Sequence, residues 1–180
     1  MNNINWLTKE QIMNIPKEHL PLFVLSRNFF SRFATEISIF DRSLWNHTLW
    51  MIHPGKFVSQ DFLFREVPAE KYLSGEHQLK FWHSLSWLPQ KRLMVIDAME
   101  EELKKNWFFR RYDFLQIIGI KLHLRQLQIP WLHICSDRAD YLKILDSRYR
   151  EGMHLTPGEV NEWFKKCSGN SVYGKFTPDD

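Results

Sequence analysis

Our expectation for the fold of this chain starts from one stretch, Leu132-His133-Ile134-Cys135-Ser136-Asp137-Arg138-Ala139-Asp140-Tyr141-Leu142. A short apolar approach leads to Cys135, and Ser136 and Asp137 are typical of the first turn of a helix. Apolar residues then recur at helical spacing, which predicts a helix that begins at or next to the cysteine. Unpaired N–H groups and the positive end of the helix dipole favour a thiolate there. Two interpretations stay open: a nucleophilic Cys135 with a histidine beside it, or an inert buried thiol.

The chain of 180 residues has the usual size of one domain. We expect a single domain over 1–180, with its core at 20–165 and a flexible tail at 168–180. Hydrophobic residues make up 44% and aromatic residues 15%, which suffices for a sizeable core and argues against disorder. The net charge is only +3 and no long basic run is present, so no nucleic-acid partner is expected. The pair Arg110-Arg111 keeps a weaker nucleic-acid alternative open.

Cys135 and Cys167 are too few for a disulfide framework or a four-ligand zinc site. We therefore expect reduced thiols, no cofactor, and a structural role for Cys167. Residues 1–11 are polar and lack the apolar segment of a signal peptide, and no apolar run predicts a membrane span. These features predict a cytoplasmic protein, or one encoded by a phage or mobile element and released by other means.

The first part of the chain predicts a helix, a strand and a second helix. Thr8 and Gln11 have the spacing of a capping box at the start of a short helix over 6–13. The apolar run Leu22–Leu25 predicts a buried strand, and aromatic residues near helical spacing predict a helix over 26–38.

Further along, aromatic and β-branched residues predict a meander with strands over 47–52, 57–60, 62–67 and 78–85. A long helix is predicted over roughly 90–105. Another begins at Thr156 and Pro157, which are a typical N-cap and first helical residue. Together these elements predict an α+β fold.

Eight short motifs carry a resemblance to a known family. They are Leu22–Leu25, Phe30-Ser31-Arg32-Phe33, Asn46-His47-Thr48-Leu49, Lys56-Phe57-Val58-Ser59, Val67–Leu73, Tyr112-Asp113-Phe114, Cys135-Ser136-Asp137 and Leu155-Thr156-Pro157-Gly158. In this order, over residues 20–165, the chain resembles the circularly permuted NlpC-type branch of the papain-like cysteine hydrolases. In that branch the histidine strand precedes the cysteine helix. Asp137 replaces the usual Glu, and residues 46–49 are bulkier than the family's small residues.

The resemblance implies a papain-like fold, with an antiparallel β-meander or small barrel packed against helices. It implies Cys135 as the nucleophile and His47 as the general base of an acyl-enzyme mechanism. The polar group that orients the histidine falls at Ser59 by register. Alternation of side chains along the strand lets only one of Ser59 and Gln60 face His47. Gln60, one residue on, is preferred because it is chemically the better orienting group. Tyr112 matches the family tyrosine near the nucleophile, where its hydroxyl would bind the oxyanion.

The implied activity is that of a thiol hydrolase, a cysteine peptidase or amidase, or an acyltransferase. Its substrates would be amide bonds of bacterial cell-wall peptides, or lipid-like acyl esters and amides. The alternative is a binding protein on the same scaffold that has lost its chemistry, which the bulky Trp45 and Trp50 around His47 favour. His133 is a competing base, because it would share a face with Cys135. These two alone do not make a zinc site.

Overall fold

A computed structural model of the protein describes residues 5–28, 43–74, 76–83, 87–115, 118, 134–135, 156–167 and 172–178. Within these residues, one sheet contains the strands β1 (Leu22–Asn28), β2 (His47–His53), β3 (Lys56–Gln60), β4 (Phe64–Pro68), β5 (His77–Trp82) and β6 (Val172–Phe176). The strands lie in the order β4-β3-β2-β1-β5-β6, and each neighbouring pair is antiparallel. The predicted α+β class is confirmed. The first and last strands of this order, β4 and β6, do not pair with each other, so the described strands do not close into the small barrel that was one expectation.

Three helices accompany the sheet in the described ranges: α1 (Lys9–Met13), α2 (Pro89–Lys104) and α3 (Pro157–Cys167). The predicted capping box of α1 is present, since Gln11 N–H donates to Thr8 Oγ1 at 3.2 Å and Thr8 N–H donates to Gln11 Oε1 at 2.8 Å. Thr156 and Glu159 exchange the same two bonds at the start of α3. No helix in these ranges is long and apolar enough to cross a membrane.

The run Leu22-Phe23-Val24-Leu25 lies at the centre of the sheet and is buried on both sides. Because strand side chains alternate, its second and fourth residues join a core cluster with α2 and α3, on what we call the α2/α3 face. Its first and third residues join a second cluster with α1 and the 3₁₀ turn Ala69–Tyr72, on what we call the α1 face. On the α2/α3 face Phe23 stacks on Phe164, with ring centroids 4.3 Å apart.

Two elements differ from the sequence-based expectation. Residues 26–28 continue β1, although a helix was predicted from residue 26; they pair with β5, and that ladder holds them extended. The rest of that predicted helix lies outside the described residues. Residues 172–176, which lie in the expected flexible tail, form β6, which pairs with β5 on one side and with the N-terminal segment on the other. There the Leu7 N–H donates to the Lys175 carbonyl at 2.8 Å, so both edges of β6 are hydrogen-bonded.

Candidate active site

His47 is the first residue of β2 and lies opposite Ser26 of the central strand β1. The turn between β2 and β3 places Gly55 at φ +70°, a conformation that glycine adopts without steric cost. After this turn Leu49 pairs with Ser59. His47 comes two residues before Leu49, and Asp61 comes two residues after Ser59. The hairpin register therefore brings a histidine and a carboxylate together at one end of the sheet.

The imidazole of His47 is held by two side chains at its Nε2 atom. Ser59 Oγ lies 3.0 Å away and Asp61 Oδ1 lies 3.2 Å away. Asp61 is held in turn: its Oδ1 accepts from Ser59 Oγ at 2.7 Å and from the Tyr72 hydroxyl at 3.0 Å, and its Oδ2 accepts from Lys71 Nζ at 2.5 Å. A carboxylate with this many donors has a defined position and presents a fixed acceptor to the imidazole.

Asp61 is ionised in this environment. Burial raises the pKa of its carboxyl group, but the hydrogen bond and charge of His47, together with the hydrogen bonds that Lys71 and Ser59 donate, outweigh it. Together they hold the pKa of Asp61 well below its usual range. The negative charge is therefore available to stabilise a positive imidazolium.

The Cys135 thiol is 5% exposed and shares a hydrogen bond with His47. Because Ser59 and Asp61 occupy Nε2, the ring nitrogen left for the thiol is Nδ1. Burial raises the pKa of the thiol, but the positive charge and hydrogen bond of His47, with a further hydrogen bond from the Thr48 backbone, lower it below its usual value. Burial lowers the pKa of His47, but the negative charge of Cys135 and the hydrogen bond that His47 donates to Asp61 raise it overall. The arrangement favours a thiolate–imidazolium pair.

Tyr112 is the third group at the thiol. Its side chain is 8% exposed and hydrogen-bonds to Cys135. Its backbone N–H donates to the Phe62 carbonyl at 3.0 Å, and the adjacent Arg111 forms a bridge with Leu63. Burial and the nearby charge of Cys135 raise the pKa of the Tyr112 hydroxyl well above its usual value. It stays a neutral phenol that can donate a hydrogen bond.

A cavity of about 590 Å³ opens beside these residues. It is lined by His47, Asp61, Tyr72 and Tyr112, by the cation of Arg65, and by Asn28, Gln60, Phe62, Lys71, His77 and Phe114 among others. Its size is typical of a site for a small molecule or one segment of a larger substrate. The cavity therefore connects His47, Asp61 and Tyr112 to solvent.

His77 is a second histidine on the cavity wall. Its Nδ1 lies 3.1 Å from Ser26 Oγ, and its ring packs edge-on against Tyr72. Burial and the positive charge of His47 lower the pKa of His77 to about 4. It is neutral near pH 7 and does not compete with His47 for a proton.

The two candidates for the orienting group stand differently. Ser59 contacts the His47 ring directly, as its register predicts. Gln60 lines the cavity, but its Nε2 donates to the Arg110 carbonyl at 3.0 Å. Strand alternation places Gln60 with Val58 and away from Ser59. The geometry thus favours Ser59 at the imidazole over the preferred Gln60.

Sequence reasoning missed Asp61. The signal was available, because Asp61 follows Ser59 by two residues and so shares its face. The position taken from the resemblance was Ser59, and Asp61 lies two residues beyond it, after the last residue of β3.

Other sequence-based expectations fall outside the described residues. These are the competing base His133 and the predicted helix after Cys135, with Ser136 and Asp137 in its first turn. The two bulky tryptophans can be located: Trp50 is buried in the core of the α2/α3 face, and Trp45 packs against that core. Their bulk thus belongs to the packing of the α2/α3 face, whereas the imidazole contacts Ser59 and Asp61 on the α1 face.

The part of the chain that the structure describes contains no group of three or more His, Cys, Asp or Glu side chains suited to a metal ion.

No protein-family model matches the sequence, and no curated protein matches it significantly. Function is therefore inferred from the chemistry of the site, since a fold alone does not determine it.

Proposed function

We propose that this protein is a cysteine-nucleophile hydrolase or acyltransferase of papain-like type that cleaves an amide or acyl bond. The observation that carries the proposal is the hydrogen-bonded series Cys135, His47 and Asp61. It supplies a nucleophile, a base and a group that orients the base, which is the logic of a catalytic triad. The order of histidine strand before cysteine supports the permuted papain-like arrangement.

In the proposed first step the Cys135 thiolate attacks the carbonyl carbon of the substrate. A C–S bond forms, and the electron pair of the carbonyl moves onto its oxygen. The neutral hydroxyl of Tyr112 donates a hydrogen bond to this oxyanion. The His47 imidazolium then gives its proton to the leaving amine or alkoxide as the C–N or C–O bond breaks, which leaves an acyl-enzyme.

In the second step neutral His47 accepts a proton from water, or from the hydroxyl or amine of an acceptor, as that group attacks the thioester. The C–S bond breaks, the acyl group leaves as an acid or a new ester or amide, and the thiolate–imidazolium pair is restored. Asp61 holds the imidazole orientation through both steps and stabilises its positive form. Ser59 contacts both His47 and Asp61, so we assign it the role of positioning them.

The substrate class follows from the cavity in outline. Phe62 and Phe114 supply apolar wall, and Arg65 supplies a cation near the opening. These groups suit an acyl or peptidyl substrate with an apolar portion, and both cell-wall peptide amides and lipid-like acyl esters fit that description.

The test is thiol reactivity. Native protein is treated with sub-stoichiometric iodoacetamide across about pH 5 to 9, and mass spectrometry compares labelling of Cys135 with that of Cys167 in the same molecule. We expect fast labelling of Cys135 near pH 6, and a loss of about a hundredfold in His47→Ala. His53→Ala is the matched control, because His53 ends the same strand and pairs with Glu66 outside the cavity.

Labelling of Cys135 that rises only near the ordinary thiol pKa of about 8.5 would contradict the proposal and favour a non-catalytic binding protein. Equal loss in His47→Ala and His53→Ala would also contradict it, because the effect would then be one on the strand. Thermal unfolding of each variant distinguishes these outcomes from simple loss of the fold.

A further inference from the structure

Large apolar side chains are exposed beside the candidate site. Phe62 is 77% exposed, Trp107 57%, Phe109 47% and Phe114 49%, and Phe108 is exposed to a similar degree. Isolated exposed apolar residues are ordinary, but a group of aromatic rings on one segment marks an interaction surface. We call these five residues, together with Arg111, the aromatic rim.

The rim is held together by local structure. The rings of Trp107, Phe108 and Phe109 contact one another in sequence, and the ring of Phe62 lies 6.0 Å from that of Phe114. The segment between these groups is tied to the residues before β4 by the Tyr112 N–H bond to the Phe62 carbonyl. The rings are therefore presented by backbone that is hydrogen-bonded to the edge of the sheet.

Positive charge at the rim comes from Arg111, and Arg65 adds a second cation on the wall of the adjoining cavity. The guanidinium of Arg111 lies 5.3 Å from the centre of the Trp107 ring, and Arg65 is exposed on β4 and lines the cavity. Within the described residues, neither arginine has an ion-pair partner. The one acidic residue of segment 107–115, Asp113, is fully buried and adds no surface charge.

Exposed aromatic rings beside arginines match the interface of an anionic lipid bilayer. Trp and Phe settle at the boundary of headgroups and acyl chains, where their apolar area leaves water. Each arginine near the surface is attracted by anionic headgroups. A protein partner would have to match the rim's positive charge with carboxylates of its own. An anionic bilayer supplies both an apolar layer for the rings and negative headgroups for the arginines.

We propose that the aromatic rim docks this protein onto anionic lipid bilayers. Phe62 and Phe114 belong both to the rim and to the cavity wall. Docking would therefore bring the mouth of the cavity to the lipid surface. The docking does not need the chemistry of Cys135, so it stands or falls independently of the proposed function.

The experiment measures co-sedimentation of the Cys135→Ala protein with vesicles of phosphatidylcholine alone or mixed with phosphatidylglycerol. We expect binding to the anionic vesicles, little binding to the neutral ones, and weakening by salt. Trp107→Ala/Phe108→Ala/Phe109→Ala should reduce binding by about tenfold or more, because it removes three aromatic side chains that would be buried in the bilayer interface. Arg111→Gln should reduce it by about fivefold.

The matched control is Leu93→Ala/Met94→Ala on α2, where both side chains are similarly exposed but lie outside the rim. It should bind as the parent does. Absence of binding to anionic vesicles, or equal binding by the rim variant and its parent, would overturn the proposal. So would a dimer in light scattering that the rim variant abolishes while vesicle binding persists, because the rim would then contact a second copy. If the triple variant unfolds, Phe108→Ala and Arg111→Gln decide the same question.

Discussion

The two faces of the sheet are built from the same strands but perform different tasks. On the α2/α3 face Phe164 contacts Phe23, Trp50 and Trp82, and this aromatic cluster joins α3 to the central strands. These residues lie in a hydrophobic core cluster, beside which Lys80 is buried with its Nζ 4.0 Å from the centre of the Trp82 ring and 3.3 Å from Asn161 Oδ1 of α3. This face contributes apolar burial and close packing, which are the main sources of folding stability.

The α1 face is apolar along most of its length and becomes polar at one end. Ser26, His47, Ser59, Tyr72 and His77 meet there, and each is hydrogen-bonded to another polar side chain of the cluster or to Asp61. Burying polar groups costs free energy, and their hydrogen bonds only offset that cost. This end of the face therefore adds little to stability. What it provides is a set of fixed donors and acceptors beside a cavity. Changes to the two faces should therefore separate stability from reactivity.

The largest expected effect is on the apolar face. Phe164→Ala should lower the free energy of unfolding by about 3–5 kcal/mol, because it removes a buried ring and leaves a cavity. Urea denaturation measures this, with Leu93→Ala on the exposed side of α2 as a control expected to stay within about 0.5 kcal/mol. In the folded variant, labelling of Cys135 should be unchanged. A folded Phe164→Ala protein with an unreactive Cys135 would show that the two faces are coupled.

The next effect concerns the oxyanion. Tyr112→Phe should slow acylation of Cys135 by p-nitrophenyl acetate by about a hundredfold, because one donor to the developing negative charge is lost. Alkylation by iodoacetamide forms no oxyanion, so its rate should change little. Tyr173→Phe removes a hydroxyl that contacts His19 outside the cavity and serves as the control. Equal slowing of both reactions would assign Tyr112 to the thiol and not to the oxyanion.

A smaller effect distinguishes the candidates for the orienting group. Asp61→Asn should slow labelling of Cys135 near pH 6 by about tenfold, because the imidazolium loses the carboxylate that orients the ring and stabilises its charge, and the thiolate paired with it becomes less populated. Gln60→Ala should leave the rate nearly unchanged. The opposite ranking, with Gln60→Ala slower than Asp61→Asn, would restore the glutamine as the orienting group.

The smallest effect is on stability at low pH. The pKa of Asp61 is lower in the folded chain than in the unfolded chain, so the folded state binds fewer protons there. Its contribution to stability is present above the unfolded pKa of about 3.9 and is lost as the pH falls towards the folded value. Urea denaturation should show Asp61→Asn less stable than the parent by on the order of 1 kcal/mol near neutral pH, with the gap closing in acid. A gap that widens in acid would mean that the carboxyl group is not ionised in the native protein.

The comparison between the faces also shows which parts of the fold local sequence could predict. The capping pairs Thr8/Gln11 and Thr156/Glu159 determine helix starts within one turn of chain, and both starts lie where the pattern indicated. The β2 strand begins at His47 as its aromatic and β-branched composition suggested. These features depend on neighbours in sequence, so they can be predicted without knowledge of the fold.

Features that depend on distant partners could not be predicted in the same way. Residues 26–28 were predicted to be helical but extend β1, because pairing with β5 outweighs local propensity. The polar tail contains β6, because β5 and the N-terminal segment supply hydrogen bonds to both of its edges.

Local sequence accounts for an α+β chain with its helix caps, a buried apolar strand over Leu22–Leu25, and a histidine strand that precedes the cysteine. The contact of the Cys135 thiol with His47, and of Asp61 with the other side of the ring, depends on how distant parts of the folded chain meet. The physical reason is register: Leu49 pairs with Ser59, so the position across from His47 is that of Asp61. Composition and spacing along one strand do not contain that register, because it arises from the pairing of two strands.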